Sequence, residues 1–282
     1  MVIMNSVRFS IFSTVIIIAT ALYVLLSAPC RSCAAPSDMV LIKGGTFQMG
    51  SPASEADREK DEVRHSVTVS AFYIGRHEVT QAEYRALTGK NPSNFKGDDL
   101  PVENVTWFDA VRFCNAKSAK EGLAPAYEIK GESVSWKRSA NGYRLPTEAE
   151  WEFAARGGTQ SPFSTGANIT TEQANYYGTY GYNNGPSGEY RSSTVDVNSF
   201  KPNQRGLYNV HGNVWEWCWD WYGPYAESAQ TDPAGPVSGT YRINRGGGWN
   251  DFGRNLRSAY RAAAPPANAI FNTGFRLARN AK

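Results

Sequence analysis

Glycine and proline interrupt this chain so often, 26 and 15 times in 282 residues, that no element of it can run long. A chain so punctuated folds as short elements joined by irregular connections. From Met39 onward no composition break appears, so residues 39–282 read as a single domain behind a short tether at 33–38. Hydrophobic residues at 41% and aromatics at 13% are ample for a packed core and far from the composition of a disordered chain. The net charge is +3, and +1 once Arg8 and Arg31 leave with residues 1–32, which gives no footprint for nucleic acid.

Those first 32 residues stand apart. Arg8 precedes the apolar run Ile11 to Leu26, and small residues with Cys30 and Cys33 follow, the layout of an export signal. Ser32 before Cys33 predicts a lipoprotein signal with lipidation at Cys33, and display on a bacterial cell envelope at the outer-membrane surface. Cys30 is the alternative acceptor, and an uncleaved anchor the alternative to processing. Cys114 and Cys218 are left for the folded part, at no metal spacing, and read as buried small apolar residues or as a pair.

Three helix starts are written as capping boxes: Thr80 with Glu83, Thr106 with Asp109, and Thr147 with Glu150. Gly89, Gly122 and Gly157 end them. In the second helix Trp107, Ala110, Val111 and Cys114 share one face, which predicts packing against a core. Val67 to Ile74 alternates like a strand, and the polar stretch Ser54 to His65 reads as an exposed loop. Beyond Gly158 the helical period vanishes into aromatic, Gly and Asn residues. There Trp215, Trp217, Trp219 and Trp221 alternate with Glu216, Cys218 and Asp220. Extended chain puts those indoles on one face; they read as core, with a sugar-stacking platform as the alternative.

Ordered blocks then carry a resemblance. They run from Met39-Val40-Leu41-Ile42-Lys43-Gly44-Gly45 through Glu78-Val79-Thr80-Gln81 and Tyr143-Arg144-Leu145-Pro146-Thr147-Glu148-Ala149-Glu150-Trp151-Glu152. Gly212-Asn213-Val214-Trp215-Glu216-Trp217, Arg245-Gly246-Gly247 and Gly274-Phe275-Arg276 complete them. In this order the chain resembles the formylglycine-generating, sulfatase-modifying-factor family. The resemblance implies an α+β C-type-lectin-like fold with little regular secondary structure and long loops.

It also sets expectations for chemistry. Family members that oxidise a sulfatase cysteine hold copper on two cysteines after the Gly-Gly-Ser-Trp-like segment, and soft thiolates suit Cu(I). This chain has no cysteine between Arg245 and Lys282, so no catalytic residue is assigned and no copper is expected. His65, His77 and His211 lie at no metal-ligand spacing. Calcium is the cofactor the resemblance leaves open, on Asn209, Gly212, Val214 and Glu216, with a first site at Asn175 and Glu189.

Between Asn250 and Gly274 there is no Lys, Glu, Gln or Met. The residues present are nearly all reachable from an asparagine codon by replacing its adenines alone. The segment, about 245–279, therefore resembles the variable region written by a diversity-generating retroelement. Asp251, Phe252, Tyr260, Ala262, Ala263, Ala264, Pro265, Ile270 and Phe271 fall at its variable positions; Arg254, Arg257, Arg261, Gly274, Phe275 and Arg276 fall in its frame. The Ala-Ala-Ala-Pro-Pro run predicts an irregular loop, where recognition is commonly placed. The expectation is a monomeric surface lipoprotein that binds a protein or glycan ligand non-covalently. The alternative is a metal-dependent oxidase of a peptide or small thiol.

Overall fold

The capping boxes form as written. In the computed structural model, which describes Met1 and residues 38–281, they open α1 (Gln81–Thr88), α2 (Trp107–Lys120) and α3 (Glu148–Ala155). Each threonine hydroxyl accepts from the backbone amide three residues on, and that residue's carboxylate accepts from the cap amide. Gly89, at φ 72°, closes α1 by donating to the Arg85 carbonyl. The predicted face of α2 is inward: Trp107, Ala110, Val111 and Cys114 are all buried. Every residue of α3 is buried, so its three glutamates must find partners inside the protein.

Short strands carry the rest, in chain order β1 (Met39–Ile42), β2 (Gly45–Met49), β3 (His65–Val69), β4 (Phe72–Gly75), β5 (Tyr127–Lys130), β6 (Ser133–Trp136) and β7 (Tyr143–Arg144). After α3 come β8 (Trp215–Trp221), β9 (Gln230–Thr231), β10 (Arg242–Arg245), β11 (Ala262–Ala264), β12 (Thr273–Gly274) and β13 (Ala278–Asn280). They form sheets ordered β1-β4-β13-β7, β11-β10-β8-β12, β2-β3-β9 and β5-β6. Antiparallel β1 and β13 flank β4, so the two ends of the described domain meet in one sheet.

Three expectations are corrected. Val67 to Ile74 is not one strand: β3 and β4 belong to different sheets, because Asp232 captures the amide and hydroxyl of Ser70, each at 2.6 Å. Ser54 to His65 is not simply an exposed loop, since Glu62 and His65 are buried. Ala262–Ala264 is not irregular, because β10 offers it an antiparallel edge, and three small side chains fit there without crowding.

The indoles of β8 fill the interior, but so does its other face. Trp217 packs in one apolar cluster with Trp107, Phe113 and Phe275; Cys218 packs in another with Trp151, Phe153 and Ile243. Trp107 and Trp217 donate their ring N–H to the carbonyls of Cys218 and Val105, at 2.9 and 3.0 Å. Arg242 lies flat between Trp107 and Trp221, 3.8 and 3.5 Å from their ring centres. Cys114 and Cys218 are both buried and free, each in its own cluster, which settles them as packing residues.

Thr106→Ala removes one cap from the helix that carries much of this core. It should cost about 1 kcal/mol in urea unfolding, while Thr106→Ser, which keeps the hydroxyl, should cost much less.

Candidate binding surface

Four arginines of the 245–276 segment point inward and fix its backbone. Arg257 spends every N–H donor: on Glu62 at 2.6 and 2.8 Å, on Glu55 at 2.8 Å, and on the carbonyls of Asp57 and Arg254. Arg276 does the same, gripping Glu216 at 2.6 and 2.5 Å and the carbonyls of Gly75, Arg76 and Tyr208. Glu148 and Glu152 of α3 receive Arg245, and Glu148 also receives Arg261 at 2.7 and 3.0 Å. Burial works to raise the pKa of Glu148, but Arg261 and Arg245 outweigh it and hold the carboxylate below its usual range. Arg254, expected in the frame, is instead exposed and lies 5.5 Å over the Phe252 ring.

Between these anchors the side chains at the expected variable positions are half-buried or exposed. Phe252 and Phe271 stand out at 41% and 42% exposure. Ala263 is exposed, while Ala262, Ala264, Pro265 and Ile270 are half-covered. Tyr260 is half-buried against Trp215, ring centres 6.0 Å apart. Asp251 turns inward: its Oδ2 accepts from the Trp215 indole at 2.7 Å and from the Gly248 amide at 3.0 Å. Burial nevertheless raises its pKa.

Phe252 and Phe271 are linked by rings from outside the expected variable positions. Phe252 meets Tyr177 at 5.4 Å and Tyr180 at 6.1 Å, and Tyr177 meets Tyr190 edge-on at 4.5 Å. Tyr190 stacks on Trp249 at 5.9 Å, and Trp249 touches Phe271 at 5.8 Å and Phe95 at 5.3 Å. The result is a continuous chain of ring contacts in which Trp249 is buried and Tyr180, at one end, is 62% exposed. At the other end two buried polar atoms, Trp249 Nε1 and Glu103 Oε2, have no hydrogen-bond partner among the described residues. Tyr177, Tyr180 and Tyr190 come from a stretch without periodicity, so only its richness in Tyr, Gly and Asn hinted at exposure.

Comparison with known proteins places this architecture. The family model of the sulfatase-modifying factor enzyme 1-like domain matches residues 27–281. The chain belongs to that family. Among solved structures, variable protein 1 of Treponema denticola aligns with a TM-score of 0.75 and 32% identity, over 86% of this chain and 95% of its own. The fold is thus the C-type-lectin-like fold of the formylglycine-generating type, with few helices and many short strands.

Curated relatives of this sulfatase-modifying-factor-like chain are diverse. A chaperone protein, LppX, of Paenibacillus barcinonensis is 41% identical over 75% of this chain and 78% of its own length. The formylglycine-generating enzyme of Thermomonospora curvata is 33% identical, over 85% of this chain and 92% of its own. A serine/threonine-protein kinase, pkn1 of Chlamydia pneumoniae, is 33% identical over 86% of this chain, which spans 38% of that kinase.

Of the four residues expected around calcium in this family member, Glu216 is committed to another cation. Both oxygens of Glu216 are taken by Arg276, and Oε2 also accepts from the Trp151 indole at 2.7 Å. A guanidinium therefore holds the carboxylate that calcium requires. Asn209 leaves its Oδ1 without a partner among the described residues, and its Nδ2 donates to Glu78 Oε2 at 3.4 Å. At the first site Glu189 is exposed and pairs with Arg191. Nearby Glu78 is fully buried; burial raises its pKa, Arg276 offsets part of the rise, and the carboxyl accepts from Asn213 at 3.0 Å.

Among the described residues no group of three or more His, Cys, Asp or Glu side chains is placed to hold a metal. His211 is a core residue: its Nε2 accepts from the Ser164 amide, its Nδ1 bonds the Leu256 carbonyl, and burial lowers its pKa to about 4. Cys30 and Cys33 lie outside the described residues.

Asp251→Ala should cost about 1–3 kcal/mol in denaturant unfolding, because it strands the Trp215 indole and the Gly248 amide. Phe252→Ser, which removes a ring that is 41% exposed, should cost about 1 kcal/mol. Adding excess calcium and then EGTA should leave the melting temperature unchanged, as expected where Glu216 is committed to Arg276.

Proposed function

We propose that this chain is a ligand-binding protein, not an oxidase, whose C-terminal loops form a diversified contact surface. A lipid on Cys33 holds it at the bacterial outer-membrane surface. The observation that carries this reading is the set of exposed rings, Tyr180, Phe252 and Phe271, joined through ring contacts over the buried Trp249. Rings displayed on a rigid support give large contact area at low entropic cost, which is what recognition surfaces use. Both exposed phenylalanines fall in the segment whose composition follows substituted asparagine codons. The inward arginines account for how side chains there can change while the backbone holds. A variable protein and a chaperone among the similar proteins agree with a non-enzymatic binding role.

One observation favours an oxidase as second reading: the 33% identity to a formylglycine-generating enzyme. Against it, Asp251, Phe252 and Leu256 stand in the stretch where that chemistry would need thiolates.

Two measurements separate the readings. With Cu(I) and a cysteine-bearing peptide, the purified protein should consume no oxygen beyond the metal-alone control; turnover would reinstate the enzyme. On an immobilised panel of glycans and extracellular proteins, Phe252→Ser/Phe271→Ser should lose the wild-type's hits by tenfold or more while melting within a few degrees of it. Hits unchanged by the double variant would place recognition elsewhere.

A further inference from the structure

Away from the aromatic surface a second site is built. A cavity of about 520 Å³ lies between the start of α3, the end of β8 and the proline-bearing loop 222–236. That volume is within the range of about 300–1,000 Å³ common for small-molecule sites. Its ionisable and charged walls are Glu148, Asp220, Arg261, His65, Arg138 and Asp232, with the Tyr225 ring beside them.

Glu148, Arg261, Asp232 and Tyr225 are engaged with one another or with neighbouring groups, and exposed Arg138 makes one such bond. Arg261 sits on Glu148 and reaches Asp61; Arg138 Nη1 donates to the Asp232 carbonyl; the Asp232 carboxylate holds Ser70. Tyr225 donates its hydroxyl to Glu148 at 2.9 Å. His65 Nδ1 lies 2.9 Å from the Val63 carbonyl, so it carries the proton and Nε2 is left as an acceptor.

Asp220 is the outlier. It is 3% exposed and its Oδ2 accepts from the Glu148 amide at 2.8 Å, yet Oδ1 has no hydrogen-bond partner among the described residues. Burial, reinforced by the Glu148 charge, raises its pKa to about 8. Glu150 on α3 adds to the rise and Arg261 opposes it, so the cations nearby do not compensate this carboxyl. Arg242 on β10 is engaged with the indoles and the Trp219 carbonyl. Gly235, at φ +71°, passes beside it; a Cβ there would fall 3.2 Å from Oδ1, and glycine leaves that oxygen clear.

We propose that this cavity binds a primary alkylammonium group, with Asp220 as its counter-ion and His65 Nε2 as a second acceptor. Both of these buried atoms accept, and an ammonium offers three donors and no acceptor, whereas the spare donors on the walls belong to Arg138, which is exposed. Trp221, Pro224 and Pro236 line the same space and cover the methylenes of an alkyl stem. The head group comes either from a small free amine or from a lysine side chain of a protein. This site stands independently of the aromatic surface and of the function proposed for it.

Calorimetry on the purified protein at about pH 8.5, where Asp220 is largely ionised and an alkylamine still protonated, tests this directly. The probes are n-butylammonium and Nα-acetyl-lysine methylamide, each against its neutral counterpart, n-butanol and Nα-acetyl-norleucine methylamide. Binding of n-butylammonium at least about tenfold tighter than n-butanol is expected. If the lysine derivative binds as well, a protein side chain is admitted; if only n-butylammonium binds, the site takes free amines. Asp220→Asn keeps an acceptor for the Glu148 amide and should weaken ammonium binding about tenfold. Should that variant not fold, the charged-against-neutral comparison on the wild type decides alone. Equal binding of charged and neutral probes, or no binding of either ammonium, overturns the proposal.

Discussion

The arginine–carboxylate pairs buried between the 245–276 segment and the rest of the chain are what the structure depends on. Arg245, Arg257 and Arg276 are fully buried, and each ends on carboxylates from far earlier or across the core: Glu148 and Glu152, Glu55 and Glu62, Glu216. Such pairs contribute little net stability when compared with apolar replacements, because desolvating both charges offsets most of their attraction. Breaking one is another matter, since it leaves a charge in the interior at a cost of about 3–5 kcal/mol. Their value is therefore specificity. Each arginine has one place where its donors are met, and that place fixes where the intervening loop leaves and re-enters the surface.

α3 is the hub of this arrangement. Its first turn takes the Asp220 carboxylate on the Glu148 amide, its Thr147–Glu150 box is clamped by Arg144 at 2.6 and 2.7 Å, and its Glu148 and Glu152 meet Arg245. The helix is short enough to be marginal alone, at eight residues. Its persistence follows from side chains that reach it from β7, β8 and β10, all of which would lose partners together if it frayed.

Local chemistry made part of this visible before the structure. A capping box is closed within four residues, so Thr80, Thr106 and Thr147 announced their helices unaided, and the one-faced pattern of α2 announced its burial. The ordered motifs carried the fold. Long-range pairing had no such local trace. Glu62 sits in a polar stretch that reads as solvent-facing, and its partner Arg257 is 195 residues away. Glu216 looked like a metal ligand because carboxylate and carbonyl oxygens were at hand, but Arg276, 60 residues on, satisfies it first. Ala262–Ala264 is a strand only because β10 stands beside it. The aromatic surface joins residues from Phe95 to Phe271, and no window of sequence contains it.

Inward cations and outward rings divide the segment into two populations that barely touch. Phe252, Ala263 and Phe271 make no side-chain hydrogen bond to the frame, so substitutions among them are expected to act additively and with little effect on the buried pairs. Asp251 does not share that freedom. Its carboxylate is the acceptor for the Trp215 indole at the mouth of β8, and the Gly248 turn closes on the same oxygen. A side chain placed there without an acceptor disturbs the strand that carries Glu216 and Asp220. The exposed surface is thus bounded at Asp251, where contact with solvent gives way to the hydrogen-bonded interior, and variation beyond that line acts on the fold before it acts on any ligand.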